Sequence, residues 1–249
     1  MNNVSDSLNS TYEKKVIILL FLLQIMTVVT WCEVSCSDGS PAADINNKKA
    51  LTPVDSKPKK YIKIRIMKQI DIRLNENEVS LLHSMIGKEF SSFLHDEFNY
   101  TQSSTQVIEL IIAGKSYYIY SFTEEKDYFG SPEDVAVWTV SDEKLPVVEK
   151  KSFIKTPVNE TIIGISLIQE NQKVFENGEQ TYDVLLTRGI VFDLGDRQIA
   201  FEKDIWFSEE IIVHRGYNLT GCFSSTENFG DDWDKSLRTE CIREEVIIQ

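Results

Sequence analysis

Short segments dense in β-branched and aromatic residues, separated by glycine turns, dominate the chain after residue 61. QVIELIIA and SYYIYSF flank Gly114-Lys115, the Gly-X pattern of a type II′ hairpin turn. Gly195-Asp196 marks a second tight turn. The other strand candidates lie at 135–140, 161–168, 181–187, 189–194, 197–202 and 210–214. This pattern predicts an α+β fold that is predominantly antiparallel β, with one or two helices packed on a face.

The clearest helix signal follows two asparagines, Asn75 and Asn77, either of which can act as its N-cap. Gly87 stands where a C′ glycine belongs. The apolar residues that share one face of this helix are Val79, Leu82, Met85 and Ile86.

The N-terminal region predicts where the protein is located rather than how it folds. A polar segment, 1–15, ends in Lys14 and Lys15, and a hydrophobic segment follows at 16–34. Its uninterrupted part, 16–31, is shorter than the roughly 20 apolar residues that span a bilayer. It therefore fits a cleaved signal peptide as well as a membrane anchor. Either interpretation places the rest of the chain outside the cytoplasm, secreted or anchored through 16–34.

A later translation start is the alternative. Met67 opens MKQIDIRLNENE, which reads like the beginning of a small cytoplasmic domain. Against this start, apolar residues alternate from Ile62 to Leu74, as in one strand that crosses Met67. The start at Met67 would make the protein cytoplasmic.

Composition changes near the same place. Residues 1–66 hold nine Lys and Arg against six Asp and Glu, whereas 67–249 hold 17 against 33. Residues 35–60 are rich in polar residues and predict a flexible linker. The remaining residues, 61–249, predict an acidic β-rich globular domain. A domain of this charge repels nucleic acid and favours a partner with a basic surface.

An internal echo suggests two related β-rich halves, 61–150 and 151–249. EKDYFGSPE (125–133) follows the first glycine hairpin, and EKDIWFSEE (202–210) follows the second. If the halves are related, Asp127 and Asp204 take the same structural role, and Phe129 and Trp206 lie over equivalent parts of their half-cores. These four residues are the candidate interaction or structural motif.

The four cysteines form two pairs along the chain. Cys32 and Cys36 end the hydrophobic segment, whereas Cys222 and Cys241 lie in a C-terminal region that reads as loop. In an exported domain Cys222–Cys241 is a candidate disulfide, and closing its loop would stabilise the fold by about 3 kcal/mol.

The sequence contains few candidate catalytic residues. None of the three histidines, His83, His95 and His214, has metal-site or nucleophile-activating spacing, and we place His95 where a strand emerges into water. The acidic run 231–234 lacks the alternating ligands of a calcium loop. Acids are so frequent that spacing nominates no catalytic pair. The sequence predicts no cofactor or metal site, and it does not favour an enzyme.

We therefore favour a non-catalytic module that binds another protein at or beyond the membrane. Two alternatives stay open. A start at Met67 would make the chain a cytosolic acidic inhibitor of the immunity type. An extracytoplasmic hydrolase would need two facing carboxylates in a cleft.

Overall fold

A computed structural model describes residues 69–98, 100–128, 131–146 and 152–248. Within these residues lie the α-helix α1 (Glu76–His83) and the 3₁₀ helices Leu219–Cys222 and Thr226–Asp232. The strands are β1 (Ile70–Ile72), β2 (Glu89–His95), β3 (Ser103–Thr105), β4 (Val107–Ile112), β5 (Lys115–Tyr128), β6 (Ser131–Ser141), β7 (Ile154–Thr161), β8 (Gly164–Glu176), β9 (Glu179–Asp193), β10 (Gln198–Lys203), β11 (Glu210–Gly216) and β12 (Arg238–Ile248).

The predicted segments 1–15, 16–34 and 35–60 lie outside the described residues. Within the described ranges, no helix has the length and apolar character needed to cross a membrane.

The predicted fold class is confirmed, because the strands form two largely antiparallel sheets beside very little helix. The large sheet has the order β12-β8-β9-β10-β11-β3, and β1 pairs with β9 in parallel. The small sheet has the order β6-β5-β4-β2-β7.

The two sheets share one strand order. In the small sheet β2, β4, β5 and β6 are neighbours in chain order, and β7 returns to the free side of β2. In the large sheet β8, β9, β10 and β11 are neighbours in the same way, and β12 returns to the free side of β8. All eight of these pairings are antiparallel. Two related halves would share such an order, and their relatedness stays a prediction.

The two repeated strand orders, β2 to β7 and β8 to β12 without β3, meet at Ile162–Ile163 rather than at residue 150, because β7 belongs to the small sheet. The sequence pattern 161–168 reads as one strand across this division. In the structure β7 ends at Thr161 and β8 begins at Gly164. Conversely, the two predicted strands 181–187 and 189–194 form one strand, β9, with a register shift opposite Ile168/Gln169.

The main core lies between the sheets. Side chains from both sheets and from α1 form a single buried cluster that includes Leu82, Met85, Phe90, Phe93, Ile119, Trp138, Ile165, Phe192, Phe201 and Ile248. Successive residues of a strand point to opposite faces, so the alternate residues of each sheet face outward. The fold is therefore a sandwich with two further, outward faces.

The carboxylate of Glu78, in the first turn of α1, holds this helix in place. Asn75 is the N-cap, and with Glu78 it forms a reciprocal capping box. Glu78 is buried and also accepts a hydrogen bond from the Val140 N–H at 3.1 Å. The residue that caps the helix thus also attaches it to β6. Burial raises the pKa of Glu78, against these backbone bonds.

The glycine hairpins differ from the predicted turn. The turn between β4 and β5 has Ala113 and Gly114 at its centre, both with positive φ (49° and 75°). Two positive central φ values define a type I′ turn rather than the predicted type II′. Asn177 and Gly178 form a turn of the same type between β8 and β9, with φ of 52° and 84°. Asn-Gly is the strongest local hairpin signal, although it was not among the predicted turns.

Candidate functional site

A network of buried charges crosses the outward face of the large sheet. Glu202 of β10 is 1% exposed. Its Oε1 accepts from Arg188 Nε at 3.1 Å, from Arg188 Nη2 at 2.8 Å and from the Ser224 N–H at 3.0 Å. Its Oε2 lies 2.7 Å from His214 Nε2. Burial acts to raise the pKa of Glu202, but His214, Arg188 and the Ser224 N–H together hold it below its ordinary value.

A second carboxylate extends the network to the sheet edge. Glu170 of β8 accepts from Arg243 Nε at 2.9 Å and from Arg243 Nη2 at 2.5 Å. The amide of Gln172 donates to its other oxygen at 2.9 Å. Arg188 Nε lies 4.0 Å from Glu170, so this arginine stands between the two carboxylates.

The 3₁₀ region covers this network. Phe223 stacks on His214 with ring centroids 5.4 Å apart, and the Arg243 guanidinium lies 5.9 Å from the same ring. Leu219 and Phe223 pack with apolar residues of the sheet. Gly189 lies directly beneath, because a Cβ there would come within 2.4 Å of the Phe223 ring.

The network is suited to holding the fold together rather than to catalysis. Its two carboxylates are no more than 3% exposed, and both accept hydrogen bonds from arginine. A hydrolytic pair must instead meet a substrate, with one group able to carry a proton. Our sequence analysis missed this network. A charged residue inside an apolar strand, such as Glu202 in RQIAFE, was the available signal.

The three histidines have unrelated surroundings. His83 is exposed at the end of α1, and His214 belongs to the network. The prediction for His95 is wrong, because this residue is only 2% exposed. Its Nδ1 lies 2.6 Å from the Asp96 carbonyl and its Nε2 lies 3.1 Å from Thr156 Oγ1. Burial lowers the pKa of His95.

The echoed motifs occupy matching places in the strand order but different local structures. Each lies between the third and fourth strands of its half, β5–β6 and β10–β11. Asp127 is an exposed residue of β5 that is paired with Pro132 of β6. Asp204 lies in a loop, where its N–H donates to the Glu210 carbonyl at 3.2 Å. Phe129 lies outside the described residues, so its predicted equivalence with Trp206 stays a prediction.

The second motif packs against the β5–β6 hairpin, next to the first motif. Ala136 of β6 donates its N–H to the Trp206 carbonyl at 2.9 Å and accepts from Lys203 Nζ at 2.5 Å. Thr123 of β5 donates from its backbone N and its Oγ1 to Glu209 Oε1, at 2.9 and 2.8 Å. The Trp206 side chain packs partly buried in a cluster with Val135. The echo therefore marks a junction between the two sheets.

Lys203 is the most unusual group at this junction. It is fully buried, and its ammonium lies 5.4 Å from the centre of the Trp138 ring. Burial, together with the charge of Arg188, lowers the pKa of Lys203 to about 7. The matching lysine of the first motif, Lys126, instead forms a surface ion pair with Glu124.

Beyond this junction the β5–β6 hairpin continues as a two-stranded arm. β4 pairs with β5 only as far as Tyr120, whereas β5 and β6 stay paired to Tyr128 and Ser131. We call residues 124–127 and 131–134 the acidic arm. Its carboxylates are Glu124, Glu125, Asp127, Glu133 and Asp134, against a single lysine. Three of these acids and the exposed Pro132 occupy neighbouring cross-strand positions.

Cys222 and Cys241 are both free thiols in this structure, so the predicted disulfide is not formed in it. Cys222 is exposed at the end of the first 3₁₀ helix. Cys241 lies in β12, where burial and then the charge of Glu170 raise its pKa to about 12. A thiol with this pKa is a poor nucleophile at neutral pH.

The acidic run 231–234 begins in the second 3₁₀ helix and continues past the end of that helix at Asp232. Trp233 packs edge-on against Tyr182 at 5.0 Å between centroids, so the run is placed by its aromatic residue. Among the described residues, no three His, Cys, Asp or Glu side chains are grouped as a metal site.

Comparison of the chain with models of protein families, with curated proteins and with solved structures gave no match.

Proposed function

We propose that this chain is a non-catalytic module that binds another protein through its acidic arm, and that the 16–34 segment exports or anchors it. The partner presents a basic surface. The observation that carries the proposal is the arm itself, since it extends past β4 and displays carboxylates on both of its strands.

The distribution of charge supports this assignment. The buried carboxylates of the large sheet accept hydrogen bonds from Arg188 and Arg243, so they contribute little to an external field. The arm has the opposite character, because its acids are exposed or half-buried with one lysine among them. Surface charge of one sign steers a partner of the other sign and accelerates association.

The test compares two sets of charge reversals in the full-length protein. Glu125→Lys, Asp127→Lys and Asp134→Lys alter the arm. Glu176→Lys, Glu179→Lys and Asp196→Lys change the net charge equally at exposed sites on other hairpins. Proteins cross-linked to the wild-type chain in its own cells are identified, and the binding of each purified candidate is then measured at low and high salt.

We expect the arm variant to lose the partner and the matched variant to keep it. Binding by the wild type should weaken as salt rises, since screening acts on exposed charges. Equal loss in both variants would reduce the effect to net charge and contradict the proposal. A partner that binds the arm variant unchanged would contradict it as well.

The cytosolic inhibitor uses the same surface, so localisation separates the two interpretations. A reporter that is active only in the cytoplasm, fused after Gln249, should be silent if the chain is exported. Full activity would favour the start at Met67 and an inhibitor of a basic protein inside the cell.

A further inference from the structure

The edge strand β12 differs from the other described edges because nothing interrupts it. β12 pairs with β8 in one unbroken register over 11 residues, from Arg238 to Ile248. Long, regular edge strands are open to pairing with another chain, and proteins usually protect them with prolines, bulges, short length, charged side chains or covering segments.

Each of the other described edges carries such a protection. β1 and β3 have three residues each. β7 contains Pro157, and its pairing with β2 shifts register. β6 contains Pro132 and is covered at Ala136 by the Trp206 carbonyl. The contrast singles out β12 as the long, regular edge among the described strands, and the charged side chains that it carries restrict which strand can pair with it.

Exposed apolar side chains are concentrated on the same strand. Ile242 is 58% exposed, Val246 is 42% exposed and Ile247 is 65% exposed. Ile242 and Val246 share the face of Ile248, which reaches the main core, whereas Ile247 lies on the opposite face. A partner strand laid along β12 would therefore cover apolar surface on both faces.

We propose that β12 pairs antiparallel with β12 of a second copy of this chain, about a two-fold axis at Glu244. A two-fold axis perpendicular to the sheet keeps each residue on its own face, so residues of the same parity must meet. At this axis Ile242 faces Val246 of the other copy. On the opposite face Cys241 faces Ile247, and Arg243 faces Glu245. Each of these pairs occurs twice.

The neighbouring registers match poorly. An axis at Ile242 sets Glu240 against Glu244, and an axis at Arg243 sets Ile242 against Glu244. An axis at Glu245 sets Arg243 against Ile247. Opposite charges and apolar pairs stabilise facing strands, whereas like charges destabilise them. The axis at Glu244 leaves two kinds of unfavourable pair, Glu244 with itself and Glu240 with Ile248 near the strand ends.

This self-association does not depend on the proposed function. It uses the outer edge of the large sheet, whereas the acidic arm belongs to the small sheet. Either proposal can fail while the other stands.

Disulfide trapping in the full-length protein tests the axis directly. All four native cysteines are changed to serine, and a single cysteine is introduced as Glu244→Cys or, as the matched control, as Glu179→Cys. Glu179 is an equally exposed acid at the far β8–β9 turn. Mild oxidation should yield a dimer for Glu244→Cys and none for Glu179→Cys. Adding Val246→Lys to the first variant should abolish that dimer.

A second measurement uses the like-charge pair at the axis, where Glu244 faces Glu244 of the other copy. Energy transfer between separately labelled copies of the full-length protein in mild detergent gives the dissociation constant. Glu244→Gln should tighten the dimer by about two- to fivefold, since it removes the facing like charges. Glu179→Gln should leave the constant unchanged.

Three outcomes would overturn the proposal. The first is absence of the Glu244→Cys dimer in a variant that melts like the wild type. The second is equal trapping by the two introduced cysteines. The third is a dimer that Val246→Lys does not weaken.

Discussion

The small and the large sheet share a strand order but cover their outward faces with different chemistry. The small sheet carries an aromatic ladder, in which Tyr118, Tyr120 and Phe122 stack at 5.5 Å intervals along β5. The large sheet carries the network of Arg188, Glu202 and their partners. Strand order is therefore compatible with either kind of face, and it follows from features that both sheets share.

Those shared features are tight turns and strands whose successive residues alternate between the inner and the outer face of the sheet. Each sheet contains a hairpin whose two-residue turn has positive φ at both positions, β4–β5 in the small sheet and β8–β9 in the large one, and the last strand of each order returns beside the first. The inner residues of both sheets enter one core. The outer residues are free to diverge, which is where the two halves differ most and where the following predictions apply.

The largest effect should come from the charge network of the large sheet. Glu202→Gln removes the charge that compensates Arg188, and leaving a buried charge without its partner costs about 3–5 kcal/mol. We expect the free energy of unfolding to fall by roughly 3 kcal/mol, because Gln retains one acceptor oxygen. Chemical denaturation measures it.

The matched substitution in the small sheet is Glu124→Gln, which alters only the exposed ion pair with Lys126. It should change stability by no more than about 0.5 kcal/mol. Similar losses for the two variants would show that the network contributes no more than surface charge does.

The next prediction concerns the pH dependence of stability, which should depend on Lys203 and not on Lys126. Burial and Arg188 lower the pKa of Lys203 to about 7 in the folded protein, whereas an unfolded lysine titrates near about 10.4. The unfolded state therefore binds more protons between these values, and stability rises with pH across this window. The slope approaches about 1.4 kcal/mol per pH unit. It vanishes below about pH 7, where both states are protonated.

Lys203→Met should remove this rise, whereas Lys126→Met should keep it. Unfolding free energies at several pH values between about 6 and 9 give the comparison, over which the wild type should gain up to roughly 3 kcal/mol relative to Lys203→Met. Parallel pH profiles for the wild type and Lys203→Met would contradict the burial of an uncompensated ammonium.

The sequence predicted the features that depend on local pattern. The capped helix after Asn75 and the antiparallel β class both follow from short-range signals, and both are confirmed. The strand β12 was missed, because RTECIREEVII mixes charges with apolar residues on both faces. Arg243 and Cys241 adopt strand positions beside Glu170, which is a contact between residues more than 70 positions apart. Local pattern cannot supply such a partner.

The outward face of the small sheet should show a smaller, specific effect. The Tyr120 hydroxyl donates to the Glu143 carbonyl at 3.1 Å and accepts from the Leu145 N–H at 2.9 Å. Tyr120→Phe should cost about 1–2 kcal/mol, because it leaves both backbone groups without this partner. Tyr118→Phe is the control, since its hydroxyl is only 3.4 Å from Glu109 and should cost about 0.5 kcal/mol. Denaturation midpoints measure both, and a larger loss for Tyr118→Phe would contradict the assignment.

The smallest effect concerns the two-residue turns of the β4–β5 and β8–β9 hairpins. Ala113 and Asn177 occupy the same turn position at φ of 49° and 52°. Alanine is strained there, whereas asparagine tolerates the left-handed region. Ala113→Asn should therefore stabilise the protein by about 0.5–1 kcal/mol. The reverse change, Asn177→Ala, should destabilise it by a similar amount. Thermal melts of the two variants and of the double exchange measure this directly. If Ala113→Asn destabilises the protein, left-handed strain at Ala113 is not what distinguishes the two turns.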